Sequence, residues 1–208
     1  MSAAPHPFPD RIVLASGNVK KRRELERILT EVGIPLETLV DHPALEAPEE
    51  TGQTFAANAR LKAAYYALQI GRWCVADDSG IEVDALDGAP GVHSARFAGE
   101  PCDDEANNDT LLARLSETSD EGRTARYRCA IALAEPDGRV VFESEGSTEG
   151  RILHQRQGSE GFGYDPLFFS TEISQCFGEV EAEVKDRVSH RGRALKDLER
   201  WLRGRDPS

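Results

Sequence analysis

Apolar residues recur along the chain with two different periods, and the switches between them divide it into strands and helices. Arg11–Ala15 is a short apolar run that predicts a strand, Ser16-Gly17-Asn18 is a turn signal, and Leu25, Ile28, Leu29 and Val32 then return at helical spacing. A second helix is predicted over roughly Thr54–Ile70, where Ala56, Ala59, Ala63, Ala67 and Ile70 share one face among strong helix formers. Small residues on that face imply close packing. Trp73–Ala76 reads as a short buried strand, Asp77-Asp78-Ser79-Gly80 as a polar turn, and Ile81–Leu86 as a further strand in which Ile81, Val83 and Ala85 alternate with polar positions.

Farther along, Leu111, Leu112 and Leu115 predict a short helix over Asn107–Ser116. Ala125–Ala134 sets Tyr127, Cys129, Ile131 and Leu133 against Arg126 and Arg128, the pattern of a half-buried strand. Pro136-Asp137-Gly138 is a turn leading to Val140–Glu145, which predicts a β-hairpin. The last helix starts at about Ser189, a good N-cap, and runs through Leu195, Leu198 and Leu202. Strands and helices mix without regular alternation, so the expected fold is α/β with a mixed sheet and flanking helices.

The chain has 208 residues and neither internal repeat nor low-complexity stretch, which suits one α/β domain, single or two-lobed, over residues 11–205. The preceding segment, MSAAPHPFPD at positions 1–10, reads as an N-terminal extension without an assignable role. It has neither a basic start nor an apolar signal core, and no apolar run approaches the roughly 20 residues that span a bilayer. A cytoplasmic protein without a membrane partner is expected. Cys74, Cys102, Cys129 and Cys176 are scattered, so neither a zinc cluster nor a disulfide framework is indicated, and they read as reduced thiols that mostly fill the core. The net charge of −12 argues against nucleic acid as a partner, because duplex phosphates need a broad basic surface. Any phosphate bound here must meet a local basic cluster.

Five stretches have candidate chemistry. Ser16-Gly17-Asn18-Val19-Lys20-Lys21 lies where a strand hands over to a helix, so backbone N–H groups and the positive end of the helix dipole favour an anion. It matches neither the GxxxxGK[ST] nor the GxGxxG pattern, and a capped turn with surface lysines explains it equally well in isolation. Asp77-Asp78-Ser79-Gly80 puts two carboxylates side by side, of which strand geometry turns only one toward a given cleft. Glu49-Glu50-Thr51-Gly52 adds more, and Mg²⁺ is commonly held by one or two carboxylates with phosphate oxygens and water. Solvated acidic loops would look the same. Gly161-Phe162-Gly163-Tyr164-Asp165-Pro166 places two aromatics in a glycine-rich loop, either to stack on a base or to plug the core. Lys185 and Ser189-His190-Arg191-Gly192 gather donors at the start of the last helix, which on its own is an ordinary basic surface.

Taken together, LASGNVKKRREL, EETGQTFAANARLKA, ADDSGIEVDALDGAPGVHSARFAGE, GFGYDPLF and SHRGRAL resemble, in that order, the inosine triphosphate pyrophosphatase family and in particular its bacterial XTP/dITP pyrophosphatases. The likeness runs through nearly the whole chain, and the N-terminal extension is the visible departure. The resemblance implies an elongated fold of two lobes enclosing a nucleotide cleft, usually a homodimer, that hydrolyses ITP, dITP and XTP with Mg²⁺ and clears them from the nucleotide pool. It implies that Ser16, Gly17, Asn18, Val19, Lys20 and Lys21 hold the triphosphate, with Lys62 and Lys185 adding positive charge. Asp78 is similar to the catalytic carboxylate, and Ser79 beside it contacts substrate. Glu49 matches the second metal carboxylate, although Glu50 next to it competes for that assignment. Phe162, Gly163, Tyr164 and Asp165, with His190 and Arg191, correspond to the base-recognition set.

An acidic protein can bind a triphosphate by concentrating lysines and Mg²⁺ in one place. Asp78 then has two roles open to it, metal ligand and general base, and a neighbouring cation favours the first by lowering its pKa. Two rivals stand beside this reading: a Maf-type pyrophosphatase, which would prefer another base, and a catalytically silent nucleotide-binding protein.

Overall fold

The computed structural model describes residues 9–30 and 33–205, so most of the 1–10 extension and Val32 lie outside the described residues. The strands are β1 Ile12–Leu14, β2 Leu36–Thr38, β3 Cys74–Val83, β4 Thr124–Ala134, β5 Val140–Ile152, β6 Phe168–Ser170 and β7 Gln175–Cys176. The helices are α1 Val19–Leu29, α2 Phe55–Ile70, α3 Asp104–Arg114, α4 Ala182–Val188 and α5 His190–Arg205. The strands form one mixed sheet in the order β2-β1-β3-β4-β5-β6-β7. β1 pairs in parallel with β2 and β3, with Ile12 opposite Leu36 and Val13 opposite Cys74, whereas β6 is antiparallel to both β5 and β7. All three β1 residues are buried, as expected of a parallel strand with neighbours on both sides. No helix among the described residues is long and apolar enough to cross a membrane.

Contacts group the chain into two compact units, one of Met1–Asp78, Ala130–Glu145 and Ala194–Ser208, the other of Ser79–Cys129 and Gly146–Arg193. In the first, Thr54 caps α2 by accepting from the Ala57 N–H, and Gly71 closes it in the left-handed conformation at φ 68°. The expected alanine face is buried at Ala59, Ala63 and Ala67, but Asn58 and Tyr66 are buried with it, while Ala56 and Ile70 are half-buried. Cys74, Cys129 and Cys176 are buried thiols.

Three expectations about elements need correction. The Asp77–Gly80 tetrad is no turn, because β3 runs unbroken for ten residues from Cys74 to Val83. β3 lies between β1, which pairs with it at Cys74 and Val75, and β4, and breaking the strand inside the sheet would leave buried N–H and C=O groups without partners. β5 continues well past Glu145, with Gly146, Thr148, Gly150 and Ile152 buried at every second position. Small residues carry that period-two signal, so apolar patterning misses it. The helix α4 precedes α5 directly. Ser189 lies between them and caps α5 as expected, its Oγ accepting from the Gly192 N–H at 3.1 Å.

The core of the second unit joins Ile81, Val83, Ala125, Tyr127, Ile152 and Phe168 of the strands to Leu111 and Leu115 of the α3 segment, with Tyr164, Leu167, Phe177 and Val180. A cation supports its edge. Arg123 is buried and donates to three backbone carbonyls, Leu115 at 2.7 Å, Ile152 at 2.9 Å and Leu153 at 3.1 Å. Arg123→Leu would remove all three bonds from a buried place, although the Leu115 carbonyl would keep the Thr118 N–H, so we expect it to lower the unfolding free energy by about 3 kcal/mol. Urea denaturation checks this, and a loss under about 0.5 kcal/mol would mean that the carbonyls find other donors.

Candidate active site

The predicted residues fall into two sets, one in each unit. In the first unit, β1 gives way to a loop ending at Asn18, which caps α1 with its side-chain oxygen accepting from the Lys20 and Lys21 N–H groups at 2.9 and 3.1 Å. The Asn18 N–H is bonded to Ser16 Oγ at 3.3 Å. The helix start is therefore preorganised, but Asn18 already claims two of the amides that an anion would use. Gly17, Asn18, Val19 and Lys20 are exposed around it.

Alternation along β3 sends neighbouring carboxylates to different helices. Asp77 meets Lys21 of α1 at 3.4 Å. Asp78, 5% exposed, meets α2: Lys62 Nζ donates to its Oδ1 at 3.2 Å, and Asn58 Nδ2 donates to its Oδ2 at 3.1 Å. The Lys62 ammonium also donates to Glu50 Oε1 at 3.1 Å. Glu49 is exposed. The structure thus brings Glu50, and not Glu49, to Asp78. The segment that carries Glu50 is tied to α2, with the Gly52 N–H donating to Asn58 Oδ1 at 2.7 Å.

Three carboxylates, Glu50, Asp77 and Asp78, here face two ammonium groups, Lys21 and Lys62. Burial pushes the Asp78 pKa up, and the attraction of Lys62 and Lys21 offsets this only in part, while Glu50 adds to the rise. For Lys62 burial works to lower the pKa, yet the charges of Asp78, Asp77 and Glu50 together hold it above its ordinary value. The cluster is short of positive charge. Its donors are all carboxylate oxygens, and Lys62 bridges two of them as a hard cation would, so the residues fit a divalent ion of the Mg²⁺ type. No three His, Cys, Asp or Glu side chains among the described residues form a metal-holding group.

The second set surrounds the Gly161–Asp165 loop. Asp165 is buried and accepts from Lys185 Nζ at 2.6 Å, from the Phe162 N–H at 2.7 Å and from the Tyr127 hydroxyl at 3.2 Å. A side chain at Gly161, where φ is +75°, would strike this carboxylate at 2.1 Å. Lys185 is buried too, with its ammonium 4.9 Å from the Phe162 ring centroid. Arg191 Nη2 donates to Ser79 Oγ at 2.8 Å, and its guanidinium lies 5.7 Å from the same ring. His190 stacks on Tyr127 with centroids 4.6 Å apart and planes within 6°. Two α3 residues grip the loop backbone, Asp104 accepting from the Gly163 N–H at 3.0 Å and Asn108 donating to the Gly163 carbonyl at 2.9 Å.

The two aromatics of the loop divide the alternatives left by the sequence. Tyr164 plugs the core, its hydroxyl donating to the Ser94 carbonyl at 2.8 Å, and burial raises its pKa. Phe162 is half-buried and presents a ring flanked by two cations. Lys185, expected beside Lys62, belongs to this second set through Asp165. Asn58, Tyr127, Asp104 and Asn108 were missed. For Asn58 a signal existed: a polar residue four positions before Lys62 on an otherwise alanine-rich helix face.

The Ham1 family model matches residues 12–201, and the chain belongs to the Ham1 family. Among its relatives, the dITP/XTP pyrophosphatase of Desulforamulus reducens is 51% identical over 186 residues, 89% of this chain and 92% of that one. The Bacillus anthracis protein of the same name is 46% identical over 190 residues, 91% and 94% of the two chains. Of the solved structures, a HAM1 protein from Coxiella burnetii superposes with a TM-score of 0.84 at 36% identity, covering 93% of this chain and 98% of its own. The nucleoside-triphosphatase / dITP/XTP pyrophosphatase of Mycobacterium abscessus gives 0.74 at 47% identity, covering 90% and 98%.

The raised Asp78 pKa has a stability consequence. The folded state holds this proton more tightly than the unfolded state, so ionising Asp78 costs stability as pH rises from the ordinary value of 3.8 through the raised one. Asparagine mimics the protonated form. In metal-free buffer with chelator, Asp78→Asn should therefore melt a few degrees higher than the unsubstituted protein at pH 7, with the gap closing as pH falls toward 3.8. A variant that melts lower at pH 7 would mean that Lys62 and Lys21 outweigh burial.

Proposed function

We propose that this protein hydrolyses the non-standard purine triphosphates ITP, dITP and XTP to their monophosphates and pyrophosphate, and so clears them from the nucleotide pool. The observation that carries this is the cluster of Asp77, Asp78 and Glu50 with Lys62 and Lys21, one positive charge short, beside a capped helix start. The names of the relatives support the same activity. In this reading residues 11–205 work as one two-lobed domain in a cytoplasmic homodimer, and the first set takes the phosphates while the second takes the base.

Asp78 and Glu50 would hold Mg²⁺, which when bound offsets phosphate charge and makes a coordinated water more acidic. Lys21 and Lys62 bind the phosphate oxygens, and Ser16 to Lys20 supply the N-terminal end of α1. A water attacks in line at the α-phosphorus, the α–β anhydride bond breaks, and pyrophosphate leaves. Burial that raises the Asp78 pKa suits proton acceptance, whereas a neighbouring dication works the other way. We assign Asp78 chiefly as ligand and orienter of the water.

At the base end, Phe162 stacks on the purine, with Lys185 and Arg191 beside its ring. Hypoxanthine and xanthine share an acceptor at position 6 where adenine presents an amino donor, and Arg191, held by Ser79, is the donor assigned to it. His190 is fixed by its stack on Tyr127. Asp165 serves through Lys185 and the loop backbone, since three protein donors already engage its oxygens.

Pyrophosphate release from ITP, dITP, XTP, ATP, GTP and UTP, with and without Mg²⁺, tests the activity. We expect Mg²⁺-dependent release that favours the first three, and Asp78→Asn should lower it at least about a hundredfold. Turnover restricted to a pyrimidine or a standard purine would point to the Maf-type alternative, and no turnover to the silent one. Arg191→Ala should narrow the ITP-to-ATP ratio of kcat/KM by about tenfold, because mispaired buried donors cost about 1–3 kcal/mol each. An unchanged ratio would move base recognition elsewhere. Light scattering at micromolar protein checks the dimer, which a purely monomeric result would refute.

A further inference from the structure

We propose that Asn58 is a positioning residue that sets the placement of Asp78 relative to Glu50. The side chain is 1% exposed on α2. Its amide orientation is fixed by chemistry: the Gly52 N–H can only donate, so the atom 2.7 Å from it must be Oδ1, which leaves Nδ2 facing Asp78 Oδ2 at 3.1 Å. Asn58 and Lys62 are one helical turn apart and grip the two oxygens of Asp78 separately.

The two grips differ in kind. Lys62 is a flexible ammonium shared with Glu50 and can follow phosphate, whereas the Asn58 amide is locked on its other side by Gly52. Asn58 therefore keeps Oδ2 occupied and leaves Oδ1 as the oxygen of Asp78 that faces Glu50's partner. Through Gly52 it also anchors the segment that carries Glu50, two residues away. Gly52 confirms how closely the pieces fit, since a Cβ there would meet Asn58 Oδ1 at 2.4 Å and the Ala57 Cβ at 2.9 Å. Nothing larger than glycine allows this bond.

This inference rests on the assignment of Asp78 and Glu50 as the carboxylates that hold the cation. Asn58→Asp keeps the acceptor for Gly52 and removes the donor to Asp78, while Asn58→Ala removes both bonds without adding charge and serves if the aspartate variant fails to fold. The full chain is titrated with Mn²⁺ alone by calorimetry, and kcat and KM for ITP are measured with Mg²⁺. The expected result is a loss of about 10- to 100-fold in Mn²⁺ affinity and in kcat, with KM for ITP changed less than about threefold, as for other residues that orient metal-binding carboxylates. Unchanged Mn²⁺ affinity and kcat in a folded variant would overturn the proposal. So would losses in kcat and KM that merely track a lower melting temperature. Absence of ITP turnover in the unsubstituted protein would instead overturn the assigned activity, and the Mn²⁺ titration would still decide the role of Asn58.

Discussion

Burying Asp78 in the middle of a long strand is the constraint to which the surrounding structure answers, because a carboxylate taken out of water is costly unless hydrogen bonds and cations replace its hydration. The strand cannot turn aside to expose it, because Cys74–Val83 runs unbroken between β1, which pairs with its start at Cys74 and Val75, and β4. Compensation must therefore come from the helices. Asn58 and Lys62 of α2 supply it for Asp78, and Lys21 of α1 supplies it for Asp77. The remaining rise in the Asp78 pKa shows that this compensation is incomplete. An incompletely neutralised cluster is a poor device for stability and a good one for attracting a dication, as expected where function tolerates a local cost.

The same logic reconciles the acidic chain with a polyanionic substrate. A net charge of −12 repels extended phosphate backbones, yet the field at one place is set by the nearest charges in a low dielectric rather than by the sum. Lys21 and Lys62 are held against carboxylates in the resting protein. A bound dication would release them from that duty, so ion and triphosphate each improve the site for the other. Such mutual support is a linkage effect, and its size is set by how much Lys62 gains on exchanging Glu50 and Asp78 for phosphate.

Most of the fold was legible where side chains repeat with a clear period, as in the β1-loop-α1 unit, the α2 alanine face, β4 and α5. It was lost where the period is carried by unusual residues. Buried aspartates in β3 imitate a turn, and glycines with Thr148 hide the second half of β5. At the site, residue types and order identified which segments matter, but partners set by tertiary packing stayed invisible. Glu49 and Glu50 are indistinguishable until the backbone shows which one points at Lys62. Likewise nothing in the sequence pairs Lys185 with Asp165, twenty residues before it.

The two sets also differ in how they are finished. Around Phe162 the key groups are tied down by the protein: Asp165 is engaged by three donors, Gly163 is held at both N–H and C=O, and Arg191 rests on Ser79. If this set takes the base as proposed, it would change little on binding, so a wrong base would not be accommodated by a small rearrangement and mismatches would be felt at nearly full cost. The Asp78 cluster is the opposite, with ammonium groups shared among carboxylates and a charge deficit. Triphosphate chains are alike in all nucleotides, so adaptability there sacrifices no selectivity. Rigidity is spent where substrates differ and electrostatic slack is kept where they do not, which fits an enzyme that must reject abundant standard nucleotides while capturing rare ones.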